Sequence, residues 1–161
     1  MGAEKGQMDL STLLKPAAVK VLANTTSKKR LFQDLADIAH SAYGLDATQT
    51  IDALQERETL GPTGVGHGVA LPHARLHGLT DVVGVFLKLE KPLDFDAVDR
   101  LPVDLVFALF APKDSGVEHL KALALVSRTL RNTETCTKLR ANSDPAALHA
   151  VLTAAQGTQA A

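Results

Sequence analysis

A three-layer α/β/α sandwich around a central mixed β-sheet is the fold class this sequence predicts, and three observations carry that expectation. Val82–Leu89 (VVGVFLKL) and Val103–Phe110 (VDLVFALF) are nearly continuous apolar runs of strand length, rich in β-branched and aromatic residues. Such runs suit central strands covered on both faces. Stretches with helical patterning and helix-start signals lie before, between and after the strands, the arrangement of an α/β domain. The chain has 161 residues, 45% of them hydrophobic, without a repeat or a low-complexity linker, so one domain with a sizeable core is expected.

Taken in chain order, residues 1–8 begin small, polar and Gly-bearing and read as a flexible tail. Residues 9–156 form the domain, and 157–161 read as a frayed end. A short helix is expected over Leu10–Leu14, ending before Pro16, and a strand over Ala18–Leu22. Ser27 caps a helix reaching Tyr43, with Leu31, Leu35, Ile38 and Ala42 on one face and Gly44 at the position after its end. Asp46 and Gln49 form a capping box for a helix that carries Ile51 and Leu54 and stops near Glu58. Gly61, Pro62, Gly64, Gly66 and Gly68 then exclude helix. Val69–Leu71 is a short strand stopped by Pro72, and Leu93–Phe95 a short extra one. Ser115 to Glu118 reads as a capping box for a helix to about Arg131, Asn132 or Thr133 caps another to about Ala141, and Asp144-Pro145 starts the last.

Seventeen Lys+Arg against 18 Asp+Glu give a formal charge of −1, which lacks the basic field of non-specific nucleic-acid binding. No apolar run approaches the roughly 18 residues that span a bilayer, and no signal-peptide core is visible. A single cysteine, Cys136, excludes an intrachain disulfide and any CxxC site. No nucleic-acid partner, no membrane insertion and a cytoplasmic location are therefore expected.

The chemistry concentrates in Gly61–Leu76 (GPTGVGHGVALPHARL). Alternating glycines can turn backbone N–H groups toward an anion, although a tight turn is the commoner explanation of such a loop. The pattern matches neither a dinucleotide fingerprint nor a Walker A loop. His73 follows Pro72, which stiffens the chain just before the imidazole. Arg57, at the end of the preceding helix, carries a fork suited to phosphate oxygens or else pairs with Glu56 or Glu58. His119 lies in the first turn of a helix, where the dipole disfavours imidazolium, or else faces water. His40 and His149 read as ordinary helix residues, Asp94, Asp96 and Asp99 as turn and capping residues, and Cys136 as a packing residue.

Three strings, ERETLGPTGVGHGVALPHARL, LEKPLDFDAVDRLPVDLVFALFAP and EHLKALALVSRTLR, together resemble the enzyme IIA domain of the fructose–mannitol class of the bacterial phosphotransferase system, and within it the nitrogen-regulatory branch. The resemblance runs from about Asp9 to Ala155. It implies a phosphohistidine relay in which His73 accepts a phosphoryl group, through Nε2, from a small HPr-like phosphocarrier protein. His119 takes the place of the family's second active-site histidine and Arg57 that of its arginine. Members often carry Gly and then a basic residue after the active histidine, whereas Ala74 and Arg75 follow here, and His67 stands where other side chains are common. Phosphate contacts are assigned to Arg57 and to amides over Thr63, Gly64, Gly66 and Gly68. No metal, nucleotide or other cofactor is required, because the P–N bond itself carries the transfer potential.

The nitrogen branch implies a regulatory output on partners such as potassium transporters, sensor kinases or alarmone enzymes. Leu76, Leu79 and Val117 are apolar contacts for the donor or part of the core. A sugar-specific IIA passing phosphate to a IIB protein is the alternative within the family; the absence of a fused IIB or membrane part favours regulation. A metal-binding protein or hydrolase using His67, His73, His77 and His119 is the alternative of another class. Pro72 and Gly78 break the helix that a His73/His77 pair would need, and no HExxH occurs. A binding module without chemistry is the third.

Overall fold

The computed structural model describes residues 8–160, with side chains through Ala154. Residues 1–7 of the expected tail over 1–8, residue 161 and the side chains of 157–160 in the expected frayed end lie outside the described residues, while Met8 packs partly buried against the core.

Helix α1 (Leu10–Leu13) leads through a 3-10 turn at Pro16–Ala18 into strand β1 (Val19–Leu22). Helices α2 (Lys28–Tyr43) and α3 (Ala47–Thr59) follow. Strands β2 (Gly64–Gly66), β3 (Val69–Ala70), β4 (His73–Leu76), β5 (Val83–Leu93) and β6 (Val103–Pro112) come next, then α4 (Val117–Arg131), α5 (Thr133–Ala141) and α6 (Pro145–Ala160). Among the described residues the strands form one sheet in the order β1-β5-β6-β3-β2, with β4 also on β6. β1 runs parallel to β5, β5 antiparallel to β6, and β3 and β4 parallel to β6. Helices α2 and α3 pack together on one side, while α1 and α4 to α6 group on the other, giving the expected three-layer mixed sandwich.

The core sits where the two long apolar runs pair. Phe86 and Phe107 face each other in register, with ring centroids 6.1 Å apart. Residues 105–111 of β6 are wholly buried, so its composition reflects cover on both faces.

Local capping explains most helix starts. Ser27 accepts the Arg30 amide, Asp46 the Gln49 amide and Asn132 the Thr135 amide. Gly44 ends α2 in the left-handed conformation, φ +74°. Several expectations change. The buried stripe of α2 runs through Leu31, Phe32, Leu35, Ala36 and Ala39; Ile38 and Ala42 are only partly buried. The Ser115–Glu118 box does not form: Gly116 is the N-cap without a side-chain bond, and Ser115 donates its hydroxyl to the Pro112 carbonyl. Leu93 is not a separate strand but the end of β5, rejoining β6 at Val103 after a register shift.

The glycine segment folds as a hairpin, β2 against β3. His67 (φ +57°) and Gly68 (φ +79°) form its tip, the paired positive φ of a type I′ turn. At its φ a side chain on Gly68 would be strained, and a Cβ there, 2.5 Å from Arg140 Nη2, would displace that guanidinium. Asp99 accepts the His67 amide at 2.8 Å, and Arg140 donates to the His67 carbonyl while holding Asp104 through two nitrogens. No helix among the described residues is long and apolar enough to cross a membrane.

Candidate functional site

Pro72 creates the site's first piece. β3 and β4 line the same edge of β6, interrupted at Leu71-Pro72, where proline has no N–H for the ladder. The Leu71 carbonyl accepts a hydrogen bond from Nδ1 of His73 at 2.9 Å. A carbonyl only accepts, so the Nδ1 proton is on His73 and the Nε2 lone pair is free of it. Beyond the proline, β4 alternates. Ala74 and Leu76 enter the core, while His73 and Arg75 lie on the other face.

Arg57 comes from the last turn of α3. Its Nε–H donates to His73 Nε2 at 3.2 Å, and Nη1 donates to the Gly61 carbonyl at 2.9 Å. The neighbouring Glu58 serves a different task. Its carboxylate accepts the Thr63 amide (3.1 Å), the Thr63 hydroxyl (2.7 Å) and Lys28 Nζ (2.8 Å). The bland expectation of an Arg57 ion pair with Glu56 or Glu58 is therefore not the arrangement found.

His119, in the first turn of α4, is 6% exposed. Its ring meets that of His73 edge-on, with centroids 5.5 Å apart and planes at 70°. Arg75 donates Nε–H to His119 Nδ1 at 3.3 Å, and His119 Nε2 is buried without a hydrogen-bond partner. Burial, then the His73 and Arg75 charges, push His119 down to about 4. Burial is also the main cause lowering His73, with Arg57 adding to it; the Leu71 carbonyl and Glu58 act in the opposite sense. Both rings are neutral near pH 7.

A cavity of about 420 Å³ opens here, lined by Arg57, His73, Arg75, Lys113, His119 and Glu56 among others. Three cationic side chains against one carboxylate favour an anionic occupant. Leu60 (80% exposed) and Leu120 (64%) also border this cavity, and Val117 (62%) is exposed in the same first turn of α4 as His119. Leu76 is core, and Leu79 packs partly buried against it.

The structure thus brings together Arg57, His73 and His119, and adds Arg75 and Lys113. Thr63, Gly64, Gly66 and Gly68 do not line this cavity. The Thr63 amide is spent on Glu58, and Gly64 and Gly66 are paired with β3. Arg75 was legible in principle, because position i+2 of a strand shares the face of position i; what was missing was the strand. His67, His73, His77 and His119 do not assemble into a metal site, and no group of three His, Cys, Asp or Glu side chains among the described residues could hold a metal ion. Cys136 is buried and donates its thiol to the Leu130 carbonyl. Asp94 and Asp99 bond the amides two residues on, as turn residues do.

An open mixed α/β sheet carrying this histidine–arginine cluster corresponds to a IIA-type component of a phosphoryl-transfer chain. Residues 12–155 match the family described as phosphoenolpyruvate-dependent sugar phosphotransferase system, EIIA 2, and the chain belongs to that family. It is 41% identical over 153 residues to the nitrogen regulatory protein of Bradyrhizobium diazoefficiens, covering 95% of this chain and all of that one. The nitrogen regulatory protein of Escherichia coli is 37% identical over 152 residues, 94% of this chain and 93% of that one. The crystal structure of IIA-Ntr from Neisseria meningitidis superposes with a TM-score of 0.81 at 33% identity, covering 88% of this chain and 97% of that one.

Proposed function

We propose that this protein is a phosphohistidine relay of the nitrogen-related phosphotransferase system: His73 Nε2 accepts a phosphoryl group from an HPr-like phosphocarrier in the cytoplasm, and the phosphorylation state governs which partners it binds. The observation that carries this reading is the His73 Nδ1–H bond to Leu71, which leaves Nε2 unprotonated, with its lone pair accepting the Arg57 Nε–H that must move aside for the phosphoryl group.

In the transfer step, that lone pair attacks phosphorus on the donor's phosphohistidine, in line with the P–N bond. The bond breaks with its electron pair returning to the donor nitrogen. The donor ring, protonated on its other nitrogen, leaves as neutral imidazole. His73 keeps its Nδ1 proton, and the Leu71 carbonyl stabilises the positive character the phosphorylated ring acquires. The transferring group is loose and metaphosphate-like, so charge placement supplies most of the rate. Arg57 swings from Nε2 to the equatorial oxygens, and His119 Nε2–H donates to another. Leu60, Val117 and Leu120 form the apolar rim on which the donor docks. The added charge of about −1.5 to −2 then alters a near-neutral surface, and with it the binding of transporters, sensor kinases or alarmone enzymes.

The test is incubation with phosphoenolpyruvate, its first-stage kinase and the carrier, followed by intact mass. One acid-labile phosphoryl group on the wild type and none on His73→Ala is the expected result. Equal labelling of the two proteins overturns the reading.

A further inference from the structure

The site contains a side chain that the phosphoryl-transfer reading leaves without a task. Arg75 lies two residues beyond His73 on β4, about 7 Å along the strand. The end of β4 pairs with the end of β6, Arg75 opposite Ala111, and the chain then turns into α4, which carries His119. Two sequence-distant elements are thereby joined by one hydrogen bond, Arg75 Nε–H to His119 Nδ1.

That bond has only one sense. A guanidinium has no acceptor, so His119 Nδ1 must present a lone pair. A neutral imidazole with a bare Nδ1 carries its proton on Nε2. That N–H is buried, has no partner, and belongs to the ring packed edge-on against His73. A buried donor without an acceptor is uncommon in folded proteins and calls for an explanation. An anionic oxygen brought in on His73 supplies the missing acceptor.

We propose that Arg75 is a positioning residue: it locks His119 in the Nε2–H tautomer so that this donor is in place for the phosphoryl oxygen when the group arrives at His73. The proposal rests on the phosphoryl-acceptance reading of His73. Arg75 acts through His119 and not on the reacting atoms. A tautomer imposed in advance removes the need for reorganisation during transfer, which is where preorganised donors gain their effect.

The charged and titratable groups around His119 are His73 and Arg75 from β4, Arg57 and Glu56 from α3, and Lys113 between β6 and α4. On its own helix, Glu118 and Lys121 form an exposed pair at 3.9 Å. Burial and the His73 and Arg75 charges hold the ring neutral. Loss of Arg75 therefore has two effects. Neutral His119 becomes free to carry its proton on either nitrogen, and the ring protonates more easily. The imidazolium carries Nε2–H whatever its neighbours, so a defect caused by the wrong tautomer shrinks only once the ring protonates, and burial, the main cause that holds it neutral, remains in the variant.

The experiment compares wild type, Arg75→Met, which keeps an unbranched stem without a donor, and Arg75→Lys, which restores a donor. Long-range 1H–15N correlation of the imidazoles is recorded on the unphosphorylated proteins. Phosphoryl acceptance from the carrier is timed between pH 5 and 8. The expected result is an Nε2–H tautomer of His119 in wild type and a mixture in Arg75→Met. Arg75→Met should accept phosphate about tenfold more slowly at pH 7.5, a fraction of what an entire oxyanion donor contributes. The deficit should not widen as pH falls, and Arg75→Lys should recover both the tautomer and the rate. An unchanged tautomer in Arg75→Met overturns the proposal. So does a tautomer shift with no loss of rate, or a deficit that widens as pH falls. Should wild type accept no phosphate at all, the reading of His73 fails, while the tautomer comparison still decides whether Arg75 controls His119.

Discussion

Arg57 Nε–H points at the Nε2 lone pair of His73 across 3.2 Å, so the guanidinium covers the very atom proposed as nucleophile. A hydrogen bond of this kind has two consequences. It keeps the proton off Nε2, and it places a permanent cation beside the atom proposed to accept the phosphoryl group. The Arg57 contact to the Gly61 carbonyl gives the guanidinium a hinge about which Nε can exchange the imidazole for an oxygen.

Arg57→Ala is therefore expected to slow phosphoryl acceptance by His73 about a hundredfold with little change in melting temperature. Arg57→Lys should recover only part, because an ammonium lacks the planar fork. Quenched time courses read by intact mass check this, and a wild-type rate in Arg57→Ala would contradict it.

The His119 ring predicts a pH-dependent stability. Its value is depressed in the folded state, from the ordinary 6.5 to about 4. Between those limits the unfolded chain binds the extra proton, so stability is complete above about pH 6.5 and declines as pH falls toward 4. The loss assignable to this ring approaches about 3 kcal/mol. Urea unfolding of wild type and His119→Gln at pH 7 and 4.5 isolates it: the variant should lose less stability on acidification.

Glu58 is predicted to be structural. Its carboxylate gathers Lys28 Nζ and both donors of Thr63 and so ties α2 and α3 to the start of the hairpin segment. Glu58→Gln replaces one acceptor oxygen with a donor facing other donors, and should cost about 1–3 kcal/mol. Lys28→Met should cost less, since it leaves the Thr63 bonds in place. Denaturant midpoints of the two variants measure the difference.

At the sheet centre, a Cβ on Gly84 would lie 2.6 Å from Phe107 Cε1. Gly84→Ala is expected to destabilise the protein by about 1–3 kcal/mol through overpacking. With Phe107→Leu added, the combined loss should be smaller than the sum of the two single losses, because the shorter side chain vacates the space. Simple additivity in the double-mutant cycle would contradict direct contact as the cause.

How much of this was readable beforehand differs by element. The apolar runs of β5 and β6 and the caps at Ser27, Asp46 and Asn132 are local signals, set by burial on both faces and by side-chain oxygens reaching their own helix amides. His73 and Arg57 were legible because the glycine–proline–histidine segment has a family pattern. β2 and β4 were not, since three and four residues are too short for periodicity to register, and β4 exists because β6 offers it an edge. Arg75 goes unassigned for that reason, and the sequence does not show that the Thr63 amide bonds Glu58 or that Gly64 and Gly66 pair with β3.

The sequence by itself determined the mixed sandwich, its long central strands and most of its helices, encoded in neighbouring side chains, and its resemblance to a family singled out His73 as the candidate imidazole. The tertiary structure alone decided which nitrogen of that imidazole is bare, which ring stands beside it and which guanidinium holds each ring. Those are hydrogen bonds fixed by backbone geometry, as from His73 to Leu71, or by packing of distant groups, as from Arg75 to His119, and a proton's location depends on the partner across the bond.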